Sequence, residues 1–289
     1  MSGTIGIVGG TGLYDLEGLT DRVWKRVASP FGAPSDDLLF GRFAEQQVVF
    51  LPRHGRGHRI PPHEINFLAN VDALKRAGVT TLVSVSAVGS LRADLAPGTF
   101  VLVDQFVDRT LRRPKTFFGT GCVAHVSMAH PTCARVHDAL AAAGQALELP
   151  MVRGGTYLAM EGPQFSSLAE SKLHRALECD VVGMTNMPEA KLAREAELCY
   201  ATVAMVTDFD CWHPDHDHVV VEDVVKVLLA NADKARRLVA DTIPRLAAHG
   251  GTCPHRCDRA LDSAILTAPA ARDPEVIAKL DAVAGRVLA

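Results

Sequence analysis

The stretch Thr4-Ile-Gly-Ile-Val-Gly-Gly-Thr-Gly12 shows the pattern that decides the fold: an apolar, β-branched run leads directly into a turn of small residues. Similar runs recur along the chain, and segments with helical periodicity separate them. The predicted strands are 4–9, 47–52, 79–86, 99–104, 151–160, 180–184 and 199–207, and the predicted helices are 65–77, 132–147, 168–178, 188–197 and 221–246. This alternation predicts an α/β fold in which helices flank a central, twisted, mixed β-sheet.

Length and composition limit the class of protein. With 289 residues, 48% of them hydrophobic, the chain can bury the core of one large domain, although two small domains are possible. We assign residues 1–249 to the main domain and 250–289 to a helical C-terminal appendage packed on that domain. The net charge of −3 excludes the broad positive field that a nucleic-acid-binding protein usually carries.

The sequence also bears on location. The chain enters its first strand at Thr4 without the basic and apolar regions of a signal peptide. No uninterrupted apolar run reaches the ~18 residues needed to span a bilayer. Seven cysteines, an odd number scattered along a long chain, do not resemble a secreted disulfide framework. We therefore expect a soluble, cytoplasmic protein with mostly buried thiols, no nucleic-acid partner and no membrane partner.

Two clusters raise the question of a metal site. Cys253-Pro-His-Arg-Cys257 permits a metal or a disulfide, but this spacing is a loose zinc signal and no second such pair occurs. His54, His58 and His63 are spaced four and five apart, but the intervening glycines and prolines argue against a helix that would align them. We therefore expect no metal site.

Three segments that follow predicted strands offer groups for an anion. Gly9-Gly-Thr-Gly12 can present backbone N–H groups and the Thr11 hydroxyl, although it matches neither the GxGxxG fingerprint nor the P-loop. Arg53-His-Gly-Arg-Gly-His58 is a compact basic cluster in which Arg suits a phosphate and a neutral His54 is expected to donate to it. Ser86-Ala-Val-Gly-Ser90, interpreted as a turn, adds hydroxyls and amides. Each is also compatible with a plain turn.

Two further patterns lie near the end of the last predicted strand. Asp208 and Asp210 are at i and i+2 of an extended segment, so they share a face, and like charges held closely raise a pKa. This pair predicts an acid that stays protonated near neutral pH; the alternative is a pair of residues that cap a turn. Val221, Val224 and Val225 form an apolar stripe at helical spacing, which in most helices belongs to the core.

Taken together, these segments resemble the family of trimeric purine nucleoside phosphorylases and methylthioadenosine phosphorylases. The matching motifs occur in order over about residues 4–246 and are Gly6-Ile-Val-Gly-Gly-Thr-Gly-Leu13, Pro30-Phe-Gly-Ala-Pro-Ser35, Arg53-His-Gly-Arg-Gly-His58, Ala87-Val-Gly-Ser-Leu91, Asp104-Gln-Phe-Val-Asp-Arg-Thr110, Glu161-Gly-Pro163, Phe165-Ser-Ser167, Gly183-Met-Thr185, Met187-Pro-Glu189 and Thr207-Asp-Phe-Asp-Cys-Trp212. A series of this length in this order is specific.

The resemblance implies a nucleoside phosphorylase fold and an activity. The implied reaction is phosphorolysis of 5'-methylthioadenosine to adenine and 5-methylthioribose 1-phosphate by a pentosyltransferase of purine and methionine salvage. Inorganic phosphate would be the co-substrate, no cofactor would be needed, and the assembly would be a homotrimer. The alternative within the family is a phosphorylase for 6-oxopurine nucleosides or methylthioinosine. The alternatives outside it are a silent nucleoside- or anion-binding protein and a histidine-based metallohydrolase.

The resemblance also implies roles for individual residues. Phosphate would be held by Thr11, Arg53, His54, Ser86, Thr185 and the backbone N–H of Ala87. The nucleoside would contact Phe165, Ser166 and Met184, and Asp208 and Asp210 would form the catalytic pair that faces N7 and the 6-amino group. The 5'-alkylthio group would lie among Val221, Val224, Val225 and His125 from a neighbouring subunit. Asp at the base-reading position favours adenine, because a 6-oxo group would face an ionised carboxylate.

Overall fold

Eleven strands form one mixed sheet in the computed structural model, which describes residues 3–10, 12–214, 221–248 and 252–288. The strands are β1 (Thr4–Gly9), β2 (Thr20–Lys25), β3 (Leu38–Phe43), β4 (Gln46–Pro52), β5 (Val79–Ser90), β6 (Phe100–Val103), β7 (Gln105–Asp108), β8 (Met151–Arg153), β9 (Thr156–Ala159), β10 (Val181–Gly183) and β11 (Cys199–Asp208). The expected fold class, a mixed sheet flanked by helices, is confirmed.

The helices of the described ranges cover both faces of the sheet. They are α1 (Phe67–Arg76), α2 (Ala134–Ala146), α3 (Leu168–Ala176), α4 (Asn186–Glu195), α5 (Val221–Ala248), α6 (Pro274–Lys279) and α7 (Asp281–Leu288), with short 3-10 turns at Pro62–Glu64, Cys257–Arg259 and Pro269–Ala271. Buried side chains of α1, α4 and α7 pack in one core cluster, and those of α2 and α5 pack in another. Successive side chains of a strand point to opposite faces, so alternate residues of β11 belong to the first cluster and those between them to the second.

The long strand β5 organises the sheet. It pairs in parallel with β1 and β11 and in antiparallel with β10, and the sheet order through it is β2-β3-β4-β1-β5-β10-β9-β7. Strand β11 pairs in turn with β6, and β6 with β8. The predicted turn at Ser86–Ser90 is wrong, since β5 continues to Ser90 with partners on both sides: Val181 of β10 faces Ser90, and Asp208 of β11 faces Gly89.

Other boundaries differ from the sequence prediction for local reasons. The predicted strand 151–160 is two strands, because Gly154 and Gly155 adopt positive φ values of 85° and 147° and interrupt the extended backbone. Strands β2, β3 and β7 were not predicted. Helix α4 begins at Asn186, but Met187 has extended backbone, so regular helical turns start at Pro188, the predicted beginning.

The C-terminal segment 252–288 packs on the same body. Leu280 of this segment is fully buried with Val283 and Ala284 of α7, in the core cluster that contains α1 and β5. The Arg286 guanidinium forms an ion pair with buried Glu197 at 2.6 Å. In the four described ranges no helix combines the length and the apolar character needed to cross a membrane.

Candidate active site

The carboxyl ends of four parallel strands meet at one edge of the sheet. Gly9 at the end of β1 lies beside Pro52 of β4, and the Arg53 backbone N–H donates to the Gly9 carbonyl at 2.9 Å. Strand β11 runs parallel to β5 and brings Asp208 beside Gly89. This edge therefore gathers the segments that the sequence singled out, in the position where open α/β sheets collect ligand groups. Thr11 lies outside the described residues.

Arg53 is fully buried and charge-paired. Its Nε donates to Glu189 Oε2 at 2.8 Å and its Nη2 to Oε1 at 3.2 Å, the two-pronged geometry that suits a carboxylate. Nη2 also donates to Ser84 Oγ at 2.6 Å, and Nη1 donates to the Val85 carbonyl at 3.0 Å. Burial acts to lower the pKa of Arg53, but the Glu189 carboxylate raises it. The guanidinium is thus a fixed part of the scaffold as well as a candidate ligand group.

The hydroxyl groups of Ser86 and Thr185 differ in how they are bonded. Ser86 Oγ donates to Asn186 Oδ1 at 2.8 Å, so its single proton has a protein acceptor. Thr185 Oγ1 is buried and has no hydrogen-bond partner among the described residues. A buried hydroxyl without a partner is costly, so it indicates a group that a ligand satisfies. Thr185 lies at the N-cap of α4, where its backbone N–H is close to Tyr157 Oη at 3.4 Å.

His54 is held as a neutral base. Its Nδ1 lies 2.9 Å from the Ile60 carbonyl, which can only accept, so Nδ1 carries the proton. Burial, with smaller contributions from the Arg53, His58 and Arg113 charges, lowers the pKa of His54 to about 4. In the neutral ring Nε2 is consequently an acceptor, so His54 can accept a hydrogen bond from an anion's hydroxyl there, which differs from the expectation that neutral His54 donates to the anion. The ring stacks on His58 at 4.2 Å.

The stability of the protein should depend on the protonation of His54. Because the unfolded histidine titrates near 6.5 and the folded one at about 4, the unfolded state binds more protons between these values. The free energy of unfolding should fall by about 2–3 kcal/mol between about pH 7 and about pH 4.5 through this group. His54→Asn keeps a donor for Ile60 and removes the titration, so urea denaturation of both proteins isolates the effect. The same pH dependence in both would contradict it.

Asp208 and Asp210 form the predicted carboxylate pair. Asp208 Oδ2 accepts from Thr207 Oγ1 at 2.7 Å, and Oδ1 accepts from the Asp210 backbone N–H at 2.8 Å. Burial is the main cause that raises the pKa of Asp208, against the lowering by these hydrogen bonds, and the Asp210 charge adds a smaller increase. The sequence pattern predicted a pKa raised by the like charge of the neighbouring carboxylate, whereas burial is the larger cause for Asp208. Asp210 Oδ2 is buried and has no partner in the described part of the chain.

Gly89 allows the close approach of this pair to β5. A Cβ atom added at Gly89 would lie 2.9 Å from Asp208 Oδ1 and 3.3 Å from Asp210 Cβ. Asp210 itself adopts a left-handed backbone with φ of 52°, which an Asp tolerates better than most residues. Strand β5 therefore contacts candidate site residues at two positions along its length. Ser84 and Val85 accept hydrogen bonds from Arg53, and Gly89, four residues beyond Val85, borders Asp208.

The segment 160–167 lies next to the carboxylate pair. The Cys211 thiol donates to the Ser166 carbonyl at 3.3 Å, which connects this segment to the residue after Asp210. Phe165 is 44% exposed, and a large apolar side chain that stays exposed beside buried polar groups is available for a planar ligand. Met184 directly follows β10 and is half-buried. Its sulfur packs so close to Gly162 that a Cβ atom added at Gly162 would lie 2.5 Å from it.

Sequence reasoning missed two residues that hold this edge together, Arg113 and Glu189. Arg113 is buried and donates to the carbonyls of Met184, Met187 and Glu161, at 2.6, 2.8 and 2.7 Å. Glu189 belongs to the motif Met187-Pro-Glu189, but sequence reasoning assigned no role to it. The available signal was a carboxylate inside an otherwise buried helix, since such a group requires a buried cation.

The residues predicted for the 5' end of the sugar lie farther from the core. Val225 of α5 is 43% exposed and Val224 is half-buried, whereas the side chain of Val221 lies outside the described residues. Arg236 of the same helix donates to the Gly12 carbonyl at 3.2 Å, so α5 is attached to the turn after β1. His125 is exposed, and its backbone N–H donates to the Ala264 carbonyl at 2.8 Å.

The fold and this edge together define an α/β protein in which buried Arg53 lies beside the middle of the central strand β5, and the carboxyl groups of Asp208 and Asp210 lie beside its carboxyl end. Residues 4–244 match the family described as the Phosphorylase superfamily, and the chain belongs to that family.

Relatives of similar length extend the comparison. The S-methyl-5'-thioadenosine phosphorylase of Cereibacter sphaeroides is 59% identical over 288 residues, which cover 100% of this chain and 99% of the relative. The enzyme with the same name from Bradyrhizobium diazoefficiens is 60% identical over 284 residues, 98% of each chain. A methylthioadenosine phosphorylase from an antarctic soil metagenomic library superposes with a TM-score of 0.91 at 44% identity, covering 96% of this chain and 98% of that one. The methylthioadenosine phosphorylase of Schistosoma mansoni, solved with adenine, gives 0.79 at 38% identity, with 85% and 92% covered.

Proposed function

We propose that the protein is a pentosyltransferase that cleaves 5'-methylthioadenosine with inorganic phosphate to adenine and 5-methylthioribose 1-phosphate. The observation that carries this proposal is a pair of buried groups without a hydrogen-bond partner in the described part of the chain, Thr185 Oγ1 and Asp210 Oδ2. The four residue steps from Val85, which accepts from Arg53, to Gly89, which borders Asp208, span about 13 Å at the rise of a strand. Full-length relatives with this activity support the same reaction.

The phosphate subsite in this proposal combines Arg53, His54, Thr185, Thr11, Ser86 and the backbone N–H of Ala87. Arg53 Nη1 has two hydrogens and the Val85 carbonyl as its acceptor in the described ranges, so one hydrogen remains for phosphate. Neutral His54 accepts a hydrogen bond from a phosphate hydroxyl through Nε2. Ser86, whose proton goes to Asn186, receives a hydrogen bond rather than donating one unless its hydroxyl rotates.

The base subsite uses Asp208 and Asp210 with Phe165 and Ser166. Burial raises the pKa of Asp208, which favours a protonated carboxyl that donates to N7, and Oδ2 of Asp210, which has no partner in the described residues, accepts from the 6-amino group. A 6-oxopurine would offer Asp210 an acceptor instead of a donor, which leaves two buried acceptors opposed. Phe165 packs on the purine face. Adenine is therefore the favoured base over hypoxanthine or guanine.

The sugar subsite uses Met184 and the stripe Val221, Val224 and Val225. A thioether needs no polar partner, and each buried methylene contributes about 0.8 kcal/mol, so an apolar wall favours 5'-methylthio over 5'-hydroxyl. The exposed fraction of Val225 supports a pocket completed by another chain. We therefore include a homotrimer in the proposal, with His125 of a neighbouring subunit closing the 5' pocket.

The reaction follows from these positions. Phosphate, oriented by Arg53 and the hydroxyl groups, attacks C1' as the glycosidic bond breaks through an oxocarbenium-like state, so a bimolecular encounter becomes a fixed geometry. Asp208 gives its proton to N7, and adenine leaves neutral. The chemistry requires neither a metal nor an organic cofactor. We also propose a cytoplasmic role in purine and methionine salvage, which the seven unpaired cysteines support.

A phosphate-dependent assay tests the function. Purified protein is incubated with methylthioadenosine, adenosine or methylthioinosine, with and without phosphate, and release of adenine or hypoxanthine is followed. We expect adenine release that requires phosphate and is fastest with methylthioadenosine. Faster release of hypoxanthine from methylthioinosine would favour the 6-oxopurine alternative. Nucleoside binding without phosphate-dependent cleavage would show a binding protein and overturn the proposal.

A further inference from the structure

Four cysteines from distant parts of the sequence lie together in the core cluster that contains the buried side chains of α2 and α5. They are Cys133, Cys199, Cys253 and Cys257; all four are buried, and their sulfur atoms lie within 4.8 Å of one another. Within the described residues, these four side chains form a group that could hold a metal ion. None of these residues has a role in the proposed phosphorolysis, so the cluster calls for a separate explanation.

The spacing of the sulfur atoms matches a shared metal better than disulfides. Cys133 Sγ and Cys253 Sγ are 3.6 Å apart. A disulfide holds its sulfurs at about 2.05 Å. Four thiolates around a tetrahedral Zn²⁺, each at about 2.3 Å from the ion, have sulfurs about 3.8 Å apart. The observed separation therefore has the size of a tetrahedron's edge.

The surroundings favour an anionic cluster. Four thiolates and one divalent ion carry a net charge of −2, so nearby cations stabilise them. Arg135, two residues after Cys133, lies against Cys199, and its Nε is buried without a hydrogen-bond partner in the described ranges. Arg194 acts on Cys257, and its Nε is likewise buried and unpartnered there. Cys133 is also the N-cap of α2, where the helix dipole favours negative charge.

The four cysteines come from three separate parts of the fold. Cys133 begins α2, Cys199 begins β11, and Cys253 and Cys257 lie in the segment that follows α5. The family match ends at residue 244, before the last two. A metal bound by all four cysteines would attach the segment that follows α5 to the start of α2 and to the start of β11.

We propose that Cys133, Cys199, Cys253 and Cys257 bind one zinc ion as a closed, structural site. Four thiolates with no open position are the ligand set of structural zinc, and a closed site does no catalysis. Binding releases the protons of those thiols that are not yet ionised, since the metal takes thiolates. This proposal departs from the expectation of no metal site, because Cys133 and Cys199 supply the second pair that the sequence did not reveal.

Elemental analysis of the full-length protein, purified from zinc-supplemented cells without chelator, tests the proposal. We expect one zinc per chain in the wild type and in Cys179→Ala, the matched control, because Cys179 is buried but lies outside the cluster. Cys257→Ala should lose at least nine-tenths of the zinc. Absence of zinc from the wild type, or its full retention in Cys257→Ala, would overturn the proposal. Iron in place of zinc would overturn the choice of metal.

A thiol titration of the wild type separates the chemical alternatives without relying on a variant that folds. Protein denatured with a chelator and without reductant has seven reactive thiols if the cluster held zinc, because the sequence contains seven cysteines. Two disulfides in the cluster would leave three. Seven thiols together with a mercurial-dependent release of zinc from the native protein support the site. Three thiols, or seven without zinc release, would overturn it.

Discussion

Asp208→Asn is expected to lower the turnover number for methylthioadenosine by about 10²–10⁴-fold, the range that general acid catalysis contributes. Asparagine keeps the shape of the side chain and its acceptor for the Asp210 backbone N–H, but it has no acidic proton for N7. Because burial raises the pKa of Asp208, the wild type should lose turnover as pH rises through that pKa, and this alkaline limb should disappear in the variant. Steady-state adenine release across pH measures both effects.

The control for Asp208→Asn is Glu45→Gln, which removes a carboxylate whose side chain is 94% exposed. It should retain wild-type turnover and pH dependence, since a single exposed charge changes little at the distant edge. Urea denaturation of both variants checks that each is folded. Wild-type turnover by folded Asp208→Asn would refute the acid role, while phosphate-dependent cleavage by the wild type would leave the proposed reaction intact.

Arg53→Ala is expected to lower the free energy of unfolding by about 3–5 kcal/mol, because it leaves the buried Glu189 carboxylate without its cation. Both side chains are almost fully buried, at 2% and 4% exposure, so water cannot compensate for the lost partner. Replacing both charges, as in Arg53→Met with Glu189→Leu, should recover part of the loss, since two apolar side chains leave no unpaired charge. Urea denaturation of the three proteins gives the comparison.

The matched control for Arg53 is Arg22→Ala, which breaks an ion pair with Asp15 whose side chains are 43% and 65% exposed. An exposed pair of this kind contributes about 0–1 kcal/mol. If Arg53→Ala costs no more than this control, the buried pair is not a structural anchor. Any Arg53→Ala protein that stays folded should also show a raised KM for phosphate, with a smaller change in the KM for the nucleoside.

The strands that carry the site were the easiest to predict. Runs such as Ile5–Val8 and Ala201–Val206 are apolar on both faces, as expected of strands covered by helices on both sides. Strand β2, Thr20–Lys25, was missed because it is an edge strand with an almost wholly exposed, mainly polar sequence. Gly154 and Gly155 carried a readable signal for the break between β8 and β9, since glycine inside a strand marks an interruption.

Within the candidate site, the location of the segments could be predicted from the sequence, but the pairing of their side chains could not. Arg53 and Asp208 follow strands, and the carboxyl ends of parallel strands meet at one edge, so their common location follows from local patterns. The pairing of Arg53 with Glu189 joins residues 136 positions apart, and no local periodicity encodes such a contact. For the same reason, the contact of Cys133 and Cys199 with Cys253 and Cys257 could not be predicted from the sequence. The tautomer of His54 depends on the Ile60 carbonyl, six residues away, in a loop without repeating geometry.

Strand β5 runs without a break from Val79 to Ser90, held between neighbours on both sides. In the proposed function, the backbone length of β5, rather than any side chain, consequently fixes the distance between the phosphate subsite and the purine subsite. Substitutions in the loops can change which atoms are recognised at either end, but they leave that separation untouched. New specificity on this scaffold should therefore arise readily for substrates that differ in the chemical groups recognised at either subsite. Substrates of a different overall length would require a different central strand.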